Sequence, residues 1–171
     1  MIESSAKPTV VILHGAWHSA VNFDPRIVLL TKAGYSTICP TQPTFNAQPP
    51  TKDLYDDAKL IKSIIKQLIE VEENDVIAAM HSYGGAVGTQ AITEDLNSIV
   101  RAKKGLKGGV IHLLYMTAFV LKLGDTLAQT FGGSLPPFIP TEEMDRAQSY
   151  IPNSASTTTS LQKSKIAGWR S

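Results

Sequence analysis

Four short apolar runs, separated by stretches with helical spacing, set the pattern of this chain. Thr9-Val10-Val11-Ile12-Leu13 is a continuous, mostly β-branched run. Such a run suits a strand buried on both faces of a parallel sheet. Tyr35-Ser36-Thr37-Ile38-Cys39, closed by Pro40, predicts a second strand. Val76-Ile77-Ala78-Ala79-Met80 predicts a third and Val110 to Met116 a fourth, centrally buried one. Between them the apolar period lengthens. Asp24 and Pro25 fit a helix start, Ile27, Leu29 and Leu30 follow, and Gly34 is a plausible stop. Leu54, Ala58, Ile61, Ile65 and Leu68 recur at steps of four and three, which predicts a helix from about Lys52 to Val71. Asp53, Asp56 and Asp57 fall in its first turn, where negative charge favours the helix dipole. A further helix is predicted from Gly85 to Leu96, with small residues suited to close packing on a sheet. Four strands thus alternate with three helices, an α/β pattern with a parallel sheet.

The connections carry the other signals. Thr41 to Pro50 holds Pro43, Pro49 and Pro50 and reads as a surface loop. Arg101-Ala102-Lys103-Lys104-Gly105 reads as a solvated basic loop. From Leu121 onward Gly124, Gly132, Gly133, Pro136, Pro137 and Pro140 interrupt any regular pattern. Asn153 to Ser160 is a low-complexity Ser/Thr tract, expected to be disordered.

Composition narrows the function classes. The net charge is +1, so nothing electrostatic favours nucleic acid or a membrane surface. Cys39 is the only cysteine, which excludes an intrachain disulfide and a Cys-rich metal site. No two histidines have helix-face metal spacing, and neither a metal nor a cofactor is expected. No stretch approaches the ~20 apolar residues of a membrane span. The first residues lack the basic region of a signal peptide, and a cytoplasmic location is the expectation.

Candidate chemistry gathers at two turns. The third strand runs into His81-Ser82-Tyr83-Gly84-Gly85, a strand–turn–helix pattern with Ser82 at the apex. A serine so placed is lifted clear of the sheet edge, beside the free N–H groups of a helix start. The usual Gly-x-Ser-x-Gly spelling fails at Met80, and Ser-x-Gly alone also describes an ordinary turn before a helix. The first strand runs into His14-Gly15-Ala16-Trp17-His18. With both turns in view the chain resembles the small α/β-hydrolases that include plant methylesterases and hydroxynitrile lyases. The residues that carry the resemblance are Val11 to His18, Ala33-Gly34-Tyr35, His81 to Gly85 and Tyr115 to Leu121, within a span from about Thr9 to Phe138.

The resemblance implies a partial α/β-hydrolase fold: a parallel sheet of about four strands in the order 2-1-3-4 with flanking helices. Residues 1–120 would form the N-terminal part of the core, 121–150 the start of a cap or lid-like segment, and 151–171 a tail. It implies a serine hydrolase acting on a small ester or related small-molecule substrate. Ser82 would be the nucleophile, the Ala16 and Tyr83 N–H groups the oxyanion hole, and His14, Gly15, Trp17 and His81 the pocket lining. Simpler roles stand beside these. His14 also reads as a structural part of its turn, His18 as a loop residue, His81 as packing, and His112 as a core histidine. Trp17 either lines or covers the pocket, and Cys39 reads as structural.

The triad order of this fold is Ser, acid, His. No histidine follows His112, and Asp125 and Asp145 follow no evident strand. The chain is therefore expected to be a portion of a longer hydrolase, or a shortened relative that binds a small ligand without hydrolysis. A nucleotide-binding doubly wound domain is a further alternative, since Gly84-Gly85-Ala86-Val87-Gly88 is glycine-rich at a helix start. It lacks Gly-x-Gly-x-x-Gly spacing. An uncovered outer edge on the fourth strand makes self-association an expectation.

Overall fold

The computed structural model describes residues 7–49, 51–121 and 127–133. Strand β1 (Thr9–Leu13) is buried along its whole length. Helix α1 (Asp24–Lys32) follows a short 3-10 turn at Ala20–Phe23, with Pro25 in its first turn where the missing N–H costs nothing. β2 (Thr37–Ile38) is shorter than the predicted run. Helix α2 (Leu54–Lys66) starts at Asp53, whose carboxylate accepts from the N–H groups of Tyr55 and Asp56. Such an N-cap stabilises a helix by about 1 kcal/mol. The helix ends in a wider π-helical turn at Gln67–Val71. β3 (Asp75–His81), α3 (Gly84–Ala91), α4 (Ser98–Ala102), β4 (Gly109–Met116) and the single turn α5 (Leu127–Thr130) complete the order.

All pairings are parallel, and the sheet order is β2-β1-β3-β4. Thr9 aligns with Val76 and Leu13 with Met80, so β1 and β3 end together. Asp75 aligns with Gly109 and His81 with Met116, with a register shift beside Val76. Side chains alternate across the sheet. Val11, Leu13, Val76, Ala78 and Met80 face α2 and α3, where Ile61, Ile65 and Val87 are fully buried. Val10, Ile12 and Ala79 face the other way, onto Phe23, Ile27 and Leu30.

Several expectations are corrected. The helix predicted to Leu96 stops at Ala91, because Ile92 turns extended and a 3-10 turn at Glu94–Leu96 follows. The basic stretch is exposed from Ala102 to Gly105, but its start is not a solvated loop: α4 occupies it, capped by the Asn97 side chain, and Arg101 is buried. Its guanidinium donates to the carbonyls of Ile69, Lys107 and Gly108, which is what permits the burial. β4 is not centrally buried; His112 and Leu114 are exposed, so His112 is no core histidine. The segment after β2 is not merely a surface loop, since Gln42 is buried within it. Asp125, Asp145 and the Ser/Thr tract lie outside the described residues. No described helix is long and apolar enough to cross a membrane.

Candidate active site at the β1 and β3 carboxyl ends

Ser82 lies between the last residue of β3 and the first of α3, with φ of 51°. A left-handed backbone is uncommon for a residue with a side chain and costs energy that neighbours must supply. They do so on both sides. The Ser82 carbonyl accepts from Gly85 N–H at 3.0 Å and from Phe119 N–H at 3.1 Å, and its own N–H reaches Met116 O at 3.4 Å. Thr117, just past β4, is also left-handed, with φ of 46°.

The glycines explain how the turn closes. A Cβ on Gly84 would overlap the Leu13 carbonyl oxygen and lie 2.9 Å from His14 O. A Cβ on Gly85 would lie 2.5 Å from Phe119 O, and one on Gly88 would collide with Met80. The glycine-rich stretch thus serves to press α3 onto the sheet, and the nucleotide-site alternative loses its one supporting feature. The same contact puts the two turns side by side. A Cβ on Gly15 would meet His81 Nδ1 and Ser82 Cβ at 3.1 Å and His18 Nδ1 at 3.3 Å, so these three groups crowd one small space.

Each expected site residue has a definite place. Ser82 and Tyr83 are half-buried, and Ala16 is exposed at the first turn. Among the described residues neither the Ala16 nor the Tyr83 N–H donates to a backbone carbonyl. Trp17 is 52% exposed. His81 is half-buried, its ring packing edge-on against His18 at 5.3 Å and Phe23 at 6.0 Å. Burial, with His18 and Arg26 nearby, holds its pKa below the ordinary value.

His14 is a correction to the pocket lining. It is 1% exposed, and both ring nitrogens are engaged. Nδ1 lies 2.9 Å from Gly15 O, a carbonyl that only accepts, so Nδ1 carries the proton. Nε2 then accepts from Gln42 N–H at 3.0 Å. Burial lowers its pKa, in keeping with a neutral ring. His14 holds the turn from behind.

Sequence reasoning missed the polar layer beneath the Ser82 turn. Asp57 is fully buried, not a surface charge in a helix start. Oδ1 accepts from Thr44 N–H at 3.0 Å, and Oδ2 accepts from Thr44 Oγ1 at 2.8 Å and Tyr83 Oη at 2.9 Å. Burial raises the Asp57 pKa against those three donors, and burial beside Asp57 pushes the Tyr83 phenol far up. Gln42 Nε2 donates to His14 O at 2.9 Å, while Gln42 Oε1 is left buried without a partner. The only advance signal was the presence of three aspartates, Asp53, Asp56 and Asp57, at one helix start, more than a cap requires.

This fold, with a serine at a left-handed strand–helix turn, defines a class that comparison with known proteins identifies. Residues 10–170 match the model of the alpha/beta hydrolase family, and the chain belongs to that family. It is 28% identical over 144 residues to the alpha/beta hydrolase nvfD of Aspergillus novofumigatus, covering 80% of this chain and 51% of that one. It is 30% identical over 131 residues to a carbendazim hydrolyzing esterase of a Nocardioides species, covering 74% of this chain and 48% of that one. An extracellular alpha/beta-hydrolase from a Paenibacillus species superposes with a TM-score of 0.52 at 19% identity, over 84% of this chain and 50% of its own. The chain spans about half the length of the curated relatives it matches.

Proposed function

We propose that this chain carries the nucleophile half of an esterase-type serine hydrolase site acting on a small ester. Ser82 is the nucleophile, and the backbone N–H groups of Ala16 and Tyr83 receive the oxyanion. The observation that carries the reading is the left-handed Ser82 at the β3–α3 turn, packed beside Gly15 of the β1 turn. Each donor of such a hole is worth about 3 kcal/mol to the transition state. Support for the ester class comes from the Nocardioides relative, named for carbendazim hydrolysis. The setting is cytoplasmic, where the Cys39 thiol stays reduced.

The general base is the weak point of this chain by itself. All four histidines are described. His14 has both nitrogens engaged, and His112 sits on the exposed side of β4, in register with Ile77 and away from the strand's carboxyl end. His18 and His81 are the imidazoles near Ser82. An unactivated serine is a poor nucleophile. A second reading, binding of a small ligand without turnover, rests on this inventory.

Treatment with a fluorophosphonate, followed by intact mass, tests the nucleophile. One adduct on the wild type and none on Ser82→Ala is the expected result. An adduct that survives Ser82→Ala removes Ser82 from the role. Turnover of p-nitrophenyl acetate is expected to be slow, and His18→Ala is expected to lower what there is. Turnover unaffected by His18→Ala assigns the proton transfer elsewhere.

A further inference from the structure

The two proposed oxyanion donors belong to different elements: Ala16 follows β1, and Tyr83 opens α3. Their separation depends on whatever ties the two turns together. One tie is the backbone contact of Gly84 on Leu13 and His14. The second is indirect and runs through side chains. We propose that Gln42-Pro43-Thr44 is a strut that sets the spacing of the oxyanion hole, with Asp57 as its buried anchor. Gln42, Thr44, Asp57 and the Tyr83 phenol are then positioning residues. The proposal rests on the nucleophile reading above.

Gln42 grips the first turn twice, through its N–H to His14 Nε2 and through Nε2 to His14 O. Thr44, two residues on, grips Asp57 twice, through N–H and Oγ1. Pro43 between them has its φ fixed by its ring, so the two grips are held at a nearly constant offset. The Phe45 N–H closes the segment onto Gln42 O at 3.0 Å, and the Phe45 ring packs edge-on against His14 at 6.1 Å. Asp57 passes the constraint on, because its Oδ2 also accepts the Tyr83 phenol. The path therefore leads from the Ala16 turn through His14, Gln42, Thr44 and Asp57 to the residue that bears the second donor.

Burial makes this path stiff. His14, Gln42 and Asp57 are each at most 1% exposed, so water does not compete for their bonds. A fully buried carboxylate is costly to hold unless hydrogen-bonded, and a cap or a surface pair would serve helix α2 without that cost. Two of the three donors that satisfy it come from Thr44 and the third from Tyr83, so the carboxylate joins the strut to the elbow. A donor displaced by a fraction of an ångström loses transition-state contact while substrate binding is unaffected.

The experiment compares the wild-type chain with Tyr83→Phe, Thr44→Val and Thr44→Ser. Tyr83→Phe keeps the ring and the N–H and deletes only the phenol oxygen. Thr44→Val keeps shape and deletes the Oγ1 donor, and Thr44→Ser restores it. Fluorophosphonate inactivation is resolved into its maximal rate and its half-saturating concentration. Amide hydrogen exchange over residues 82–88 and thermal melting are followed alongside. Expected are an about tenfold fall in the maximal rate for Tyr83→Phe and Thr44→Val, with half-saturation unchanged, and recovery in Thr44→Ser. The double variant Thr44→Val/Tyr83→Phe is expected to be no slower than the slower single, because both cut one path. Rates that fall only as the folded fraction falls, or a Thr44→Ser that behaves as Thr44→Val, overturn the strut. Absence of any wild-type adduct overturns the nucleophile reading instead. Exchange then decides the strut by itself: faster exchange at 82–88 in Thr44→Val but not Thr44→Ser upholds it, and equal exchange in all three refutes it.

Discussion

The two faces of the sheet are unlike each other. On one, β1 and β3 pack against α2 and α3 with Leu13, Ile61, Ile65, Met80 and Val87 at or near zero exposure. On the other, Val10, Ile12 and Ala79 meet Phe23, and α1 contributes no fully buried residue while Val28 and Leu29 stay exposed. The Ser82 turn is built on the first face. Gly84 and Gly88 press α3 onto β1 and β3, and the Asp57 layer lies between α2 and α3. Rigidity at Ser82 is thus drawn from the deep face, and the thin face contributes mainly a cover for His81.

This contrast breaks first under truncation. Ile61→Ala on the deep face is expected to cost about 4 kcal/mol, because the lost methylenes leave a cavity in close-packed surroundings. Leu29→Ala on the thin face is expected to fall within about 0.5 kcal/mol of wild type. Urea melts measure both, and equal costs would erase the distinction. Adding a methyl sharpens it. Gly84→Ala drives a Cβ into the backbone of Leu13 and His14, which no rotamer change relieves, and is expected to cost about 3 kcal/mol and to slow phosphonate labelling. At Gly105, with φ of 72° and open space around it, Ala is expected to cost only about 1 kcal/mol and to leave labelling unchanged.

Titration separates the groups around the Ser82 turn. The pKa values of His14 and His81 are lowered by burial. Each gives stability that is present above the unfolded value of 6.5 and is lost as pH falls toward the folded value. Asp57 works in the opposite sense. Its pKa is raised, so its contribution is full below the unfolded 3.8 and is lost as pH rises through the folded value. Melts between pH 7 and pH 5 are expected to weaken for wild type, with a shallower slope in His14→Phe whatever that variant's absolute stability. The stability difference between wild type and Asp57→Asn is expected to move toward Asp57→Asn with rising pH in the acid range. A slope unchanged by either substitution would mean that these groups titrate alike in the folded and unfolded chain.

The smallest effect on stability is expected at β4, which with β2 is one of the two outer strands among the described residues. A one-residue bridge from Asn97 to Val110 covers only its start, and Leu114 is half exposed. We propose that the chain self-associates through this strand. Light scattering after size exclusion is expected to show species larger than a monomer at micromolar concentration. Leu114→Lys is expected to reduce them while shifting the melt by less than about 0.5 kcal/mol. A monodisperse monomer at the same concentration would show the strand to be protected.

The frame of this structure was legible because it is written locally. Continuous apolar runs announced β1, β3 and β4, the four- and three-residue steps announced α2, and His81 to Gly85 announced a sharp turn between β3 and α3. What stayed hidden depends on partners distant in sequence. Asp57 looked like one more charge in a helix start, because its partners Thr44 and Tyr83 lie 13 and 26 residues away. Arg101 looked like part of a solvated basic stretch, because the carbonyls that satisfy it come from Ile69, Lys107 and Gly108. Gln42 looked like a loop residue until His14, 28 residues earlier, was found against it. Buried polar groups follow pairing, and no periodicity records pairing. β2 fell short of its predicted run for a related reason: at the sheet edge Thr37 and Ile38 stand in register with β1, and Ser36 adds a single carbonyl that accepts from Val10 N–H.

The alignment of Thr9 with Val76 has a bearing on time as well as on shape. These central strands are neighbours in space but are divided by a helix, an edge strand and a second helix in the chain. Their pairing must wait for a long loop to close, whereas α2 gains its cap and its turns from residues at hand. Ser82 cannot be held in its left-handed turn until Leu13 lies against Gly84 and Phe119 has reached the Ser82 carbonyl. The Ser82 turn is therefore among the last parts to be acquired. In a stopped-flow experiment, reactivity toward phosphonate is expected to lag behind the helical signal, and Ile12→Val is expected to slow the lagging phase while sparing the early one.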